Sequence, residues 1–211
     1  MAKAVIFDMD GLMVESEMLH YQAYKEVLAQ LGIELALQDY FAVWGSDKDM
    51  CLRFVEKFRI PISQMELLEQ KNKLFKEMYI YKVTPQEGLL DLLRTLRENH
   101  YLLAVCSNSQ MHEIKIVLKT IGVEHFFDQI ISAESVKNGK PAPDCYLLAA
   151  QKLNVQPADC LVLEDAPKGV TAAKAAGMQC FAIPSTGLEA VDFSNTDKVL
   201  KNLKEVYSFL F

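Results

Sequence analysis

From residue 101 onward the chain alternates short, almost wholly apolar runs with amphipathic segments, and that rhythm admits few folds. The runs 101–106, 129–133, 160–163 and 179–183 read as strands; 111–121, 143–153 and 168–176 read as helices, the first and last stopped by Gly122 and Gly177. A strand with one wet face alternates apolar and polar residues. These runs do not, so both faces of their sheet must be covered. Strand, helix and strand in succession then predict an open α/β layout: a Rossmann-like parallel sheet with helices on both faces. A weaker strand at Val199-Leu200 and a helix follow.

One further apolar run, Ala4 to Phe7, opens the chain, and only helical patterns separate it from residue 99. Tyr21, Tyr24, Leu28 and Leu31 repeat at helical spacing and stop at Gly32; Cys51, Phe54, Val55 and Phe58 do the same. Ser63 and Glu66 have capping-box spacing. Thr84-Pro85-Gln86-Glu87 predicts a second capping box, opening a helix that buries Leu89, Leu93 and Leu96. A parallel crossover needs only about a dozen residues. Residues 15–82 are therefore expected to form an inserted helical cap domain, leaving 1–14 and 83–211 as the α/β core.

The 211 residues are 51% hydrophobic and 24% charged, as in an ordinary globular protein, and no apolar run approaches the ~18 residues that would span a membrane. No signal-type segment precedes the first strand, so a cytoplasmic protein is expected. The net charge is -6 and the lysines are dispersed, which argues against a nucleic-acid partner. Five cysteines without paired spacing read as small buried hydrophobes in a reducing compartment. No membrane partner is expected, and the protein is read as a monomer.

Ligands of an open parallel sheet bind beyond the carboxyl ends of its strands. There the sequence places Asp8-Met9-Asp10-Gly11 after the first strand, Ser107-Asn108-Ser109 after the second, Lys137-Asn138-Gly139-Lys140-Pro141 after the third and Glu164-Asp165 after the fourth. Singly, each admits a plainer reading: a solvated turn, a helix cap, a loop charge, a helix start. Jointly they supply a carboxylate pair, a hydroxyl with backbone donors, a cation and a second acidic pair. Phosphoryl transfer needs positioning and charge neutralisation of this kind. So many carboxylates would repel without a cation among them. A hard oxygen-seeking ion, Mg2+, suits the donors better than a softer metal.

The elements Phe7-Asp8-Met9-Asp10-Gly11, Cys106-Ser107-Asn108-Ser109, Gly139-Lys140-Pro141-Ala142-Pro143-Asp144 and Leu163-Glu164-Asp165-Ala166-Pro167 resemble the four motifs of the haloacid-dehalogenase-like superfamily, nearest its branch of sugar-phosphate phosphatases and β-phosphoglucomutases. The resemblance covers essentially the whole chain, the insert being similar to that branch's four-helix cap. It implies Asp8 as a nucleophile forming an aspartyl-phosphate and Asp10 as the acid and then the base. It further implies Ser107, Asn108 and Lys140 as phosphate-binding residues. Mg2+ would lie on Asp8, the Asp10 carbonyl and Asp165, with Glu164 direct or one layer behind. Dehalogenation is disfavoured, since that branch lacks a counterpart of Asp10.

The same resemblance implies that the cap selects the substrate, through His20, Gly45, Lys48 and Lys76. His20 also reads as an exposed helix residue. Lys48 stands where the phosphoglucomutases carry arginine, and lysine cannot grip a second phosphate bidentately. Glu15, where relatives have aspartate, falls at the hinge. The expectation is a Mg2+-dependent phosphatase acting on a sugar or nucleoside monophosphate, with an intramolecular phosphomutase as the alternative. A signalling receiver domain also combines acids, a lysine and an aspartyl-phosphate, but has no such insertion in its first crossover. A P-loop kinase is excluded by the missing phosphate-loop motif.

Overall fold

The structure, a computed structural model, describes residues 2–43, 50–185, 188 and 191–210. It divides into two compact units, Ser16–Val83 and Met1–Glu15 with Thr84–Phe211. The first holds α1 (Glu17–Gln30), α2 (Leu37–Val43), α3 (Met50–Phe58) and α4 (Gln64–Lys82). Helix α4 starts at the capping box read from the sequence: the Glu66 N–H donates to Ser63 Oγ at 3.2 Å, and the Ser63 N–H donates to Glu66 Oε2 at 2.9 Å. Inside lie Tyr21, Tyr24, Leu28, Tyr40, Phe54 and Leu67, an aromatic-rich core. The Tyr21 hydroxyl reaches the Leu35 carbonyl and the Tyr24 hydroxyl Cys51 Sγ, as buried tyrosines require. The short helix α2 carries too few periodic residues to be seen in the sequence pattern.

The second unit is built on strands β1 (Ala4–Phe7), β2 (Leu102–Ser107), β3 (Gln129–Ser132), β4 (Cys160–Glu164), β5 (Gln179–Ala182) and β6 (Lys198–Val199). They form one sheet, all neighbours parallel, in the order β3-β2-β1-β4-β5-β6. Ala4 and Ile6 point into a cluster with Tyr146, Ala149, Val170 and Ala173, while the intervening Val5 and Phe7 are equally buried on the other face. Two covered faces are what the continuous apolar runs demand. The covering helices are α5 (Leu89–Glu98), α6 (Met111–Thr120), α7 (Asp144–Leu153) and α8 (Pro167–Ala175); a short α9 (Tyr207–Leu210) follows β6. All five cysteines are free and buried. Among the described residues no helix is long and apolar enough to cross a membrane.

The capping box expected at Thr84-Pro85-Gln86-Glu87 does not form. Pro85 bridges Val14, the Gln86 N–H donates to the Met13 carbonyl at 2.9 Å, and α5 begins only after Gly88, at φ +86°. The loop after β1 needs partners for its own backbone groups, and that long-range tie outcompetes the local cap. Leu89, Leu93 and Leu96 are nonetheless buried as expected.

Candidate active site

Strand β1 lies between β2 and β4, where the strand order reverses, and the crevice beyond the carboxyl ends opens there. Phe7 is in register with Val105 on one side and Leu163 on the other. One residue further, Asp8 therefore stands between Cys106 and Glu164, with its N–H on the Leu163 carbonyl at 3.0 Å. Ser107 and Asp165 come next on the flanking chains. Three separated stretches of sequence are thus brought to one edge by strand register alone.

The centre is Lys140. Its ammonium donates to Asp8 Oδ1 at 2.5 Å, to Glu164 Oε1 at 2.6 Å and to the Cys106 carbonyl at 2.9 Å, which uses all three of its protons. The loop that carries it is clamped by Asn108: the Lys140 N–H donates to Asn108 Oδ1 at 3.0 Å, and Asn108 Nδ2 donates to the Lys140 carbonyl at 3.2 Å. Ser107 and Ser109 hydroxyls both donate to Asp10 Oδ2, each at 3.1 Å, and the Ser109 N–H donates to Ser107 Oγ. Glu164 Oε1 accepts a second hydrogen bond from the Tyr146 hydroxyl, and its Oε2 accepts the Asp165 N–H at 3.3 Å.

Oxygens of Asp8, Glu164 and Asp165 lie within 4.8 Å of one another, and all three residues are buried. Three carboxylates thus face one buried ammonium. The imbalance shows in their acidities. Burial raises the Asp8 carboxyl well above its usual range, Lys140 opposing and Glu164, Asp165 and Asp10 adding to it. Asp165 is pushed up to about 7, first by burial and then by Glu164, against a hydrogen bond from Ser185. Burial pulls the Lys140 ammonium down, but Asp8 and Glu164 outweigh it and hold its pKa well above the usual value. A buried acidic trio so undercompensated fits a divalent cation, since oxygen donors and excess negative charge are what a hard ion takes. Gly11, at φ +88°, is confined to glycine twice over: a Cβ there would collide with the Asp165 carboxylate.

Of the residues expected in the cap, Gly45 and Lys48 lie outside the described residues. His20, rather than being an exposed helix residue, is half-buried on α1 and stacks on Phe75 with ring centroids 3.8 Å apart. Burial, then the charge of Lys71, lowers its pKa to about 3. Lys76 is exposed on α4. The buried lysine of that helix is instead Lys71, over the rings of Tyr24 at 5.3 Å and Phe75 at 4.8 Å.

The sequence reading gave Ser109 no role of its own and missed Tyr146, Ser185 and Lys71. For Tyr146 a signal existed. It is the one hydroxyl on a helix face otherwise made of Cys145, Ala149, Ala150 and Leu153, and a hydroxyl buried there must reach a partner.

A family model described as haloacid dehalogenase-like hydrolase matches residues 5–183. The chain is 34% identical to the fructose-1-phosphate phosphatase YqaB of Escherichia coli, over 82% of this chain and 92% of that protein. It is 30% identical to the β-phosphoglucomutase of Bacillus subtilis, over 96% and 94%. Among solved structures, a HAD family hydrolase from Deinococcus radiodurans with bound phosphate and sodium superposes with a TM-score of 0.81 at 29% identity, covering 99% of this chain and 95% of that one.

Proposed function

The chain belongs to the haloacid dehalogenase-like hydrolase family, and from that membership we propose that it is a Mg2+-dependent phosphatase of small phosphorylated metabolites, sugar or nucleoside monophosphates, working through a phosphorylated Asp8. The observation that carries the reading is the Lys140 ammonium 2.5 Å from Asp8 Oδ1, with Asp165 beside it. A nucleophilic carboxylate must approach a phosphate dianion, and Lys140 neutralises enough of its charge to allow this.

Asp8 attacks phosphorus, the ester P–O bond breaks, and the leaving oxygen takes its proton from Asp10. Asp10 then removes a proton from water, which attacks the aspartyl-phosphate and frees inorganic phosphate and Asp8. The hydroxyls of Ser107 and Ser109 hold Asp10 Oδ2, which fixes the carboxyl that must carry that proton. Ser107 and Asn108 would receive the phosphoryl oxygens at the start of α6, where backbone donors favour an anion. Mg2+ would be held by Asp8, the Asp10 carbonyl and Asp165, with Glu164 behind them, and supplies further charge neutralisation at the phosphoryl group.

A mutase is the second reading, favoured by the 30% identity to a β-phosphoglucomutase. The two part at the fate of phospho-Asp8, which passes to water in one and to a second hydroxyl in the other. A panel of phosphorylated metabolites assayed with Mg2+ is expected to yield free phosphate, and chelation to stop release reversibly. Conversion of a hexose 1-phosphate to its 6-phosphate isomer without release would replace the phosphatase by the mutase.

A further inference from the structure

Tyr146 is fully buried on α7, and its hydroxyl donates to the same Glu164 oxygen that holds Lys140. Lys140 Nζ also stands 4.9 Å above the Tyr146 ring. Glu164 packs closely against Gly169 of α8, where a Cβ would sit on its carboxylate. The ammonium is therefore shared between two buried carboxylates, Asp8 and Glu164, and its position depends on how strongly each attracts it. The hydroxyl takes up electron density on one of the two competitors and on that one alone.

We infer that Tyr146 is a positioning residue: its hydroxyl on Glu164 Oε1 sets how Lys140 is divided between Glu164 and the nucleophile Asp8. Without the hydroxyl, Glu164 draws Lys140 toward itself and Asp8 is less neutralised as it meets the phosphoryl group. The ring's packing over the sheet is a separate matter, which Tyr146→Phe leaves in place. The kinetic part of the inference rests on the phosphatase reading; the coupling among the three side chains does not.

The test is a double-mutant cycle of Tyr146→Phe and Glu164→Gln. In the otherwise wild-type enzyme Tyr146→Phe is expected to lower kcat about tenfold with KM held within about twofold, the pattern of a lost transition-state interaction. In the Glu164→Gln background the same change is expected to alter kcat less than about twofold, because the competitor's charge is already gone. In chelator-treated protein, Tyr146→Phe should lower the melting temperature by ~3 °C, and by clearly less beside Glu164→Gln. An unchanged kcat, equal kcat losses in both backgrounds, or additive melting shifts would overturn the proposal. If the wild-type protein hydrolyses no phosphate ester, the functional reading falls, while the metal-free cycle still decides the coupling. Should Tyr146→Phe fail to fold, 3-fluorotyrosine at this position alone keeps the shape and strengthens the donor. It is expected to change kcat at least about twofold at constant KM, and no change counts against the inference.

Discussion

Among the described residues each unit buries one lysine, and the surroundings of the two differ. Lys140 in the sheet unit lies among carboxylates delivered by β1 and β4, bonded to Asp8 at 2.5 Å and Glu164 at 2.6 Å. Lys71 in the helical unit lies over two aromatic faces, Tyr24 and Phe75, and donates to Asn72 Oδ1 at 3.3 Å. An ammonium among carboxylates compensates charge that the fold has already buried, so its removal leaves others uncompensated. One that lies over rings is in addition attracted by their quadrupoles. The first arrangement is suited to chemistry on a charged group.

The largest expected effects lie with Asp8 and Asp10. Asp8→Asn keeps size and hydrogen bonding but makes a poor nucleophile, and turnover is expected to fall at least about 100-fold with the fold intact by circular dichroism. Asp10→Asn should lose about 10² to 10⁴ in kcat, since acid and base work are removed while Lys140 stays. Residual turnover by Asp8→Asn above that level would break the assignment of Asp8. A small loss in Asp10→Asn would move the proton work elsewhere.

Next comes the contrast in stability. Lys140→Met leaves Asp8 and Glu164 facing each other without a cation, and at pH 8 in chelator a loss of about 3 kcal/mol or more is expected from urea unfolding. Lys71→Met keeps an apolar chain against the two rings, and a smaller loss than that of Lys140→Met is expected. Equal losses would mean that Lys71, too, compensates buried charge.

The same contrast explains what could be read in advance. The strands and the acidic and hydroxyl elements of the sheet edge were legible because each such element sits directly after an apolar run, and parallel register then fixes which of them meet. The Lys140 loop needed no more than its place after β3. Tyr146 was not legible as a site residue, because it reaches Glu164 from within a helix whose period advertises only burial. The helical unit was legible as an insertion, by crossover length, but not in its contents. Lys71 and Lys76 are five positions apart on α4, and nothing in the local sequence says that the first is inside and the second outside. The capping box that does not form at Thr84 has a related cause. A local motif carries no trace of Val14 and Met13, which take that backbone from far along the chain.

The response to pH separates the units most cleanly, because acid acts on them with opposite sign. Asp165 has its pKa raised to about 7 from a usual 3.8, so the metal-free folded state holds a proton that the unfolded chain gives up, and stability falls as pH rises between those values. His20 has its pKa lowered to about 3 from 6.5, so its contribution is full above 6.5 and is lost as pH falls toward 3. Each slope is at most ~1.4 kcal/mol per pH unit. On acidifying chelator-treated protein from pH 7 to pH 4, amide protection relative to the unstructured chain is therefore expected to rise in β1 and β4 and to fall in α1 and α4. Lys71→Met sharpens the second half. Burial is the larger cause of the His20 shift and Lys71 the smaller, so the substitution should raise the His20 midpoint, read from its ring-proton resonance, part of the way toward 6.5. A wild-type midpoint already near 6.5 would mean that His20 is solvated, and the helical unit would then have no acid-sensitive packing at that position to set against the sheet edge.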